Sequence, residues 1–154
     1  MKKLIVIGFL FILGWNTVSA QTVGLYCKRH AISWSCLLIA GGVQGFITEL
    51  QFNYPAVKRR FNTNDQFWNP SISWTNKYKN HDPKQGEKFF GSTTFLAWTT
   101  DGFHFTQAIR NVGIIGGVSI IFPRKVKWYW YVRDYVINAL IFGMANFTAQ
   151  AIIK

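Results

Sequence analysis

Apolar residues are concentrated in three long segments of the chain. Segment A covers about 31–52, segment B about 92–122, and segment C about 126–153. Each is longer than the roughly 20 residues that a helix needs to cross a bilayer. The pattern therefore predicts an all-α protein with three principal hydrophobic helices, and it favours membrane association over a soluble helical bundle.

The N-terminus has the pattern of a secretory signal peptide. Two lysines precede an apolar run from Leu4 to Leu13, and the small residues Val18-Ser19-Ala20 follow. We expect cleavage after Ala20, which leaves residues 21–154 as a single helical domain in the cell envelope. An uncleaved membrane anchor is the alternative interpretation.

A polar insert at residues 55–91 separates segments A and B, and it interleaves basic with aromatic residues. Trp and Tyr prefer the headgroup level of a membrane, so the pattern predicts interfacial residues here and at the start of segment C. The predicted interfacial residues are Trp68, Trp74, Tyr78, Trp128 and Trp130. The alternative is an ordered loop whose Trp rings are buried against the helices.

The charge balance indicates anionic partners. The chain has seventeen Lys and Arg and six Asp and Glu, which gives a net charge of +11. Membrane lipids with anionic headgroups fit this excess, whereas nucleic acid does not suit an exported chain. The mean hydropathy of +0.10 keeps a soluble bundle possible. Cys27 and Cys36 are either a disulfide or two free thiols, depending on where the first helix begins.

Glycines recur at four-residue spacing in two segments: Gly41 and Gly45 in segment A, Gly113 and Gly117 in segment B. Residues at this spacing share one helix face, and small residues there allow two helices to approach closely. We therefore expect Gly45→Leu to disrupt packing against a neighbouring helix.

Polar residues inside the apolar segments are the strongest indication of a site, because buried polar groups need partners. Asp101 and His104 share a face of segment B, Asp134 and Asn138 share a face of segment C, and Glu49 lies in segment A. The short connection between B and C predicts antiparallel neighbours. We therefore expect one polar cluster in which Asp101 and His104 face Asp134 or Asn138, with Glu49 as a fifth member.

The cluster has two chemical interpretations. A carboxylate beside an imidazole can orient a general base, which makes Asp101 and His104 candidate catalytic residues. The favoured interpretation is a satisfied hydrogen-bond network between helices, with Arg110 and Arg133 available to neutralise the acids. A metal site is a further alternative, but the cluster offers only one His, so no metal or cofactor is predicted. No nucleophile elbow, P-loop, HExxH or CxxC pattern is present.

Two short motifs resemble those of a known family. Asp101-Gly-Phe-His104-Phe105 and the later Asp134-Tyr-Val-Ile-Asn138 with Gly143 are similar to motifs of the VanZ-like membrane proteins and a related group of periplasmic lipoproteins. The likeness covers about residues 99–145. The chain differs from the family in having no acid at 111–133 and no lipoprotein cysteine. The resemblance implies an envelope protein with a polar site and no defined reaction.

These observations together predict a non-enzymatic protein of the bacterial inner membrane or its periplasmic face. Two other classes stay open. One is a small hydrolase or transferase that acts on a lipid or lipid-linked glycan through His104 and Asp101. The other is a soluble periplasmic helical binding module.

Overall fold

The computed structural model describes residues 20–119 and 127–154. Nearly all of the predicted signal peptide lies outside these residues, as do the predicted end of segment B and start of segment C. The all-α prediction is confirmed, because every regular element in the described ranges is helical. The chain divides into two units between Ala31 and Ile32.

Six α-helices are present in the described ranges. Three are long and three are short. The long helices are α1 (Ala20–Phe52), α5 (Gly102–Ser119) and α6 (Trp128–Ile153). The short helices between α1 and α5 are α2 (Tyr54–Phe61), α3 (Asp65–Trp68) and α4 (Pro70–Ser73). Single 3₁₀ turns follow at Trp74–Lys77, Lys79–His81, Pro83–Gln85 and Ala97–Thr99.

The helix of segment A begins earlier than predicted, at Ala20 rather than near Ala31. The added residues mix polar with apolar side chains, but no proline interrupts them, and backbone hydrogen bonding does not require an apolar segment. The helix ends at Phe52, and Pro55 then occupies the first turn of α2, where its missing N–H costs nothing. Cys27 and Cys36 both lie within α1 and are free thiols.

The helix of segment B begins later than predicted, at Gly102 rather than Ser92. Ser92 is not a helix cap, because its Oγ donates to the carbonyl of Lys77 at 2.7 Å and holds a turn. Gly91 sits at φ +81° inside that turn, a conformation that favours glycine. Residues 92–99 therefore form turns, and ten residues of the predicted helix belong to the insert.

Helix α5 packs antiparallel on α1 through two of the glycines. A Cβ added at Gly113 would lie 2.9 Å from Ala40 Cβ, and one added at Gly117 would lie 2.7 Å from Leu37 Cγ. The residue numbers run in opposite directions, which defines the antiparallel contact. Ser33 Oγ also donates to the carbonyl of Gly117 at 2.5 Å. The helices are thus too close for larger side chains at these positions.

Helix α6 packs parallel to α1 through the other pair of glycines. A Cβ added at Gly45 would lie 2.5 Å from the carbonyl oxygen of Asn146 and 2.7 Å from Ala149 Cβ. Gly41 makes the equivalent contact one turn earlier, against Phe142 and Ala145. All four glycines therefore lie at helix contacts, and α1 has α5 on one face and α6 on another.

Residues 54–101 form an ordered headpiece at one end of the three long helices. Its core contains Leu50 of α1, Ile153 of α6, and Ala56 and Val57 of α2. The half-buried Trp68 packs against this core, and its ring centroid lies 5.7 Å from that of Phe46. The headpiece is thus fixed to the helices by shared apolar contacts rather than joined to them by a flexible loop.

Candidate functional site

Asp101 and His104 form a local pair at the beginning of α5. Asp101 immediately precedes the helix, and its carboxylate accepts a hydrogen bond from the backbone N–H of His104 at 2.8 Å. This is the geometry of an N-cap, in which a side-chain oxygen satisfies a free N–H of the first helical turn. The predicted site motif is therefore also the start signal of α5.

The imidazole of His104 completes this arrangement. Its Nδ1 lies 2.9 and 2.8 Å from the two carboxylate oxygens of Asp101. Thr100 Oγ1 donates to the same carboxylate at 3.4 Å. The Asp101 side chain is 1% exposed and that of His104 is 34% exposed, so the carboxylate is enclosed while the ring reaches the surface. The carboxylate can therefore orient the imidazole ring through Nδ1.

The prediction that Asp101 and His104 face Asp134 or Asn138 is wrong. Asn138 lies one turn before Phe142, which contacts Gly41, so Asn138 is level with Leu37 on the parallel helix α1. Leu37 contacts Gly117 of α5, and the thirteen helical residues from Gly117 back to His104 separate Asn138 from His104 by about 20 Å along the helix axes. Asp134 is one turn farther away. The glycine contacts set this register, and the sequence alone does not show it.

The two polar residues that segment C was expected to contribute have different surroundings in α6. Arg133 Nη2 and Nε lie 2.7 and 3.0 Å from Asp134 Oδ1, and the guanidinium stacks 4.1 Å above the ring of Trp130. Asn138 is buried, and its Oδ1 accepts no hydrogen bond within the described residues. Arg133 thus neutralises its sequence neighbour Asp134, whereas Asn138 serves no described polar network.

Glu49 does not join the other acids. Its Oε2 accepts from Asn53 Nδ2 at 3.0 Å, and its Oε1 lies 3.8 Å from Lys154 Nζ at the end of α6. Glu49 is buried, so these contacts compensate a charge that is enclosed between α1 and α6. The five residues of the predicted cluster therefore lie in three separate places.

A polar contact between α1 and α5 was missed by the sequence analysis. Arg110 Nη1 donates to Gln44 Oε1 at 2.8 Å, and Nε and Nη2 donate to Asn111 Oδ1 at 3.1 and 2.9 Å. Arg110 thus binds two amide oxygens. The expectation that Arg110 neutralises the acids of the cluster is wrong. The signal of the contact in the sequence was Gln44, a lone amide in the most apolar part of segment A.

The predicted interfacial aromatics have different environments. Trp68 is half-buried and packs against Phe46 and the backbone of Gly102, so part of its ring is held by the headpiece core, and its interfacial role stays a prediction. Trp74 and Trp128 are exposed, Tyr78 is half-buried, and Trp130 stacks with Arg133. The headpiece also exposes aromatics that were not singled out, namely Phe89, Phe90, Phe95 and Trp98.

Two carboxylates hold the headpiece together. Asp65 accepts from Tyr54 Oη at 2.6 Å and from Lys58 Nζ at 2.5 Å, and the Lys58 hydrogen bond is the main reason that the pKa of Asp65 is lowered. Glu87 accepts from Thr93 Oγ1 and from the N–H of Gly91, and these bonds lower the pKa of Glu87. Both side chains therefore favour the charged form in the fold.

The headpiece also contains a shallow cleft of about 380 Å³. Asn76 forms its wall and donates to the carbonyls of Gln66 at 2.7 Å and Thr100 at 3.0 Å. His81, at φ 61°, and Lys88 also line the cleft. The lining contains no carboxylate. The Asn76 amide thus ties α3 to the residue before Asp101, which fixes the headpiece relative to the start of α5.

In residues 20–119 and 127–154, no three His, Cys, Asp or Glu side chains are grouped so that they could hold a metal ion. Comparison of the chain with protein-family models, with curated proteins and with solved structures finds no match. The geometry of the described residues is therefore the basis for the function proposed below.

Proposed function

We propose that this protein is a non-enzymatic component of a bacterial envelope membrane. In this proposal α1, α5 and α6 lie in the bilayer, and the headpiece rests on one membrane surface. The observation that carries the proposal is the exposure of α6. The motifs that resemble those of VanZ-like membrane proteins agree with the same location.

Helix α6 is both strongly apolar and poorly buried. Trp128–Ile153 has a mean hydropathy of 1.6, and only 6% of its most apolar window is buried. A core helix of a soluble protein with this composition would be mostly buried. Burying a Val, Leu, Ile, Phe or Met side chain stabilises a protein by about 1.5–3 kcal/mol. In water the exposed side chains of α6 would not contribute this stabilisation. Its exposed large apolar residues include Val132, Val136, Leu140, Met144, Phe147 and Ile152.

The other long helices continue this apolar surface. His30–Phe52 of α1 is the second helix that is long and apolar enough to span, with 33% of its window buried. Helix α5 exposes Ile109, Val112, Ile115 and Val118. Contiguous exposed apolar surface of this kind is typical of contact with a membrane. In a bilayer the exposed apolar side chains of all three helices contact lipid chains instead of water, so their exposure no longer costs free energy.

The headpiece supports an interfacial position. Its residues 54–101 contain seven Lys and Arg against four Asp and Glu. Its exposed aromatics at 89–98 directly precede α5, which places them where that helix would leave the hydrocarbon. Basic residues near the surface attract anionic headgroups, and aromatic rings favour headgroup level. We therefore expect the headpiece to contact anionic lipids.

A substitution at Leu140 tests the proposal. Leu140 is 51% exposed near the middle of α6, so Leu140→Arg should be harmless in water and should even aid solubility. In a bilayer it should cost about 2.5–3.5 kcal/mol and reduce insertion. Resistance of the protein to alkaline carbonate extraction measures the difference, with Leu140→Phe as the matched control.

We expect wild type and Leu140→Phe to stay in the membrane pellet and Leu140→Arg to be released or degraded. A wild-type protein that carbonate extracts into the supernatant would refute the membrane proposal. So would a Leu140→Arg variant that is equally abundant and equally resistant.

The second candidate is a hydrolase or transferase that acts on a lipid or lipid-linked glycan. The observation that favours it is the contact of His104 Nδ1 with an enclosed carboxylate, which orients the ring of a side chain that is 34% exposed. Such a pair can position a general base. Purified protein should then hydrolyse a fluorescent glycerophospholipid in vesicles, and His104→Gln should abolish turnover while the thermal unfolding profile stays nearly unchanged. Equal turnover by His104→Gln excludes this candidate.

A further inference from the structure

Arg110 lies far from both ends of α5. It is the ninth of the eighteen residues in Gly102–Ser119, so about 12 Å of helix separate it from the headpiece end. Its only described partners are the amide oxygens of Gln44 and Asn111. A cation near the middle of a membrane-spanning helix is expensive and generally has a counter-charge or a function.

No carboxylate of this chain is available to Arg110. The chain has six Asp and Glu, and the structure describes all of them. Each already has partners elsewhere. These are Asn53 and Lys154 for Glu49, Tyr54 and Lys58 for Asp65, the Lys84 amide and Gln85 for Asp82, Thr93 and the Gly91 amide for Glu87, His104 for Asp101, and Arg133 for Asp134.

The surface beside Arg110 is uncovered. Asn111, which holds two of the guanidinium N–H groups, is exposed, and the flanking Ile109 and Val112 are exposed apolar residues. A polar amide among apolar side chains on the outside of a spanning helix would face hydrocarbon. Because hydrocarbon offers no hydrogen bonds, this position suits contact with another polar transmembrane segment.

We propose that the Arg110–Asn111 face of α5 binds a transmembrane helix of another protein that carries an Asp or Glu within its apolar span. This inference rests on the proposed membrane function. The partner carboxylate accepts from the guanidinium, and its apolar residues cover Ile109 and Val112. Charge complementarity identifies the partner, since the pair replaces an isolated buried cation with a compensated one.

Charge also argues against two other occupants. A second copy of this chain brings the same six carboxylates, each engaged in its own fold, so it does not supply the missing charge. A lipid phosphate lies at headgroup level, whereas Arg110 is about 12 Å of helix from the nearer end of α5. Both occupants become outcomes of the experiment below.

The experiment measures helix association in phosphatidylcholine vesicles. Full-length protein with a fluorescent donor is reconstituted with acceptor-labelled synthetic peptides of about 23 apolar residues, a length that spans a bilayer. The peptides carry Asp, Asn or Leu at the central position. Variant Arg110→Gln removes the charge but keeps a polar side chain, and Arg60→Gln in the exposed end of α2 is the matched control for loss of one positive charge.

We expect the Asp peptide to associate roughly tenfold more tightly than the Leu peptide, in line with the weaker of the measured close charge pairs. Arg110→Gln should abolish this preference, and Arg60→Gln should retain it. The Asn peptide should be intermediate, because it offers a hydrogen-bond acceptor without charge.

Three results overturn the inference: equal association of the Asp and Leu peptides, an Asp preference that persists in Arg110→Gln, or strong energy transfer between two labelled copies that excludes the peptide. Loss of the preference when phosphatidylglycerol is added assigns the site to lipid and also overturns it. Failure of the protein to reconstitute contradicts the membrane function itself, so the two proposals fail in distinguishable ways.

Discussion

The close contact between α1 and α6 predicts a large penalty for one added methyl group at Gly45. Gly45→Ala places a Cβ 2.5 Å from the carbonyl oxygen of Asn146 and 2.7 Å from Ala149 Cβ. Even the close C–H···O contacts between helices have C···O distances of about 3.3–3.6 Å. The two helix backbones must therefore separate by about 1 Å, because the opposing atoms include main chain that does not rotate away.

Two terms of opposite sign set the size of this effect. Overpacking of a tight contact costs about 1–3 kcal/mol. Replacing a helical glycine by alanine gains up to about 1 kcal/mol in helix propensity. Gly42→Ala is the matched control, because a Cβ there meets nothing within 4 Å and only the propensity gain applies. Subtracting the two variants cancels the propensity term, so Gly45→Ala should be about 1–3 kcal/mol less stable than Gly42→Ala.

The measurement is the free energy of unfolding in mixed micelles titrated with a denaturing detergent. Helix content followed by circular dichroism gives the transition for wild type and both variants. The Gly45→Leu variant should be less stable than Gly45→Ala, since its side chain adds further volume at the same contact. Equal stability of Gly42→Ala and Gly45→Ala would refute the close parallel packing of α1 and α6.

Two further predictions concern the headpiece and its junction with α5. Asp101→Ala should destabilise the protein by about 0.5–2 kcal/mol through loss of the helix N-cap, while Asp101→Ser, which keeps a capping oxygen, should retain most of the stability in the same titration. The pKa of Asp65 is lowered mainly by Lys58, so its contribution to stability is present above the ordinary carboxyl pKa and is lost as pH falls through the lowered value. Asp65→Asn should therefore flatten the acid limb of thermal stability between neutral pH and about pH 3, and an unchanged limb would contradict this assignment.

The extent of the helices followed from local sequence wherever a strong signal was present. Pro55 correctly marks the end of α1 at Phe52, and apolarity predicted segment C at about 126–153, close to the observed Trp128–Ile153. The start of α5 was misplaced because Ser and Thr residues serve as turn formers as readily as helix caps. Here Ser92 bonds the Lys77 carbonyl, a contact between residues fifteen positions apart.

In the candidate site, the contact between neighbours in sequence was predictable, whereas the contacts between helices were not. The spacing of Asp101 and His104 correctly placed their side chains together, because a separation of three residues fixes neighbours on any helix. Their relation to Asn138 was wrong, since it depends on how far α5 and α6 slide along α1. That distance is set by which side chains meet Gly41 and Gly113, a property of three helices at once.

The sequence by itself determined the features that arise within one segment: helical class, apolar spans, the basic excess, and the glycine pairs that permit close approach. The tertiary structure decided the features that depend on pairing. It placed the glycine pairs of α1 and α5 in different contacts, packed the half-buried Trp68 against Phe46, and brought Gln44 to Arg110. The physical reason is that periodicity fixes the face on which a residue lies, whereas the side chains of other helices determine what that face meets.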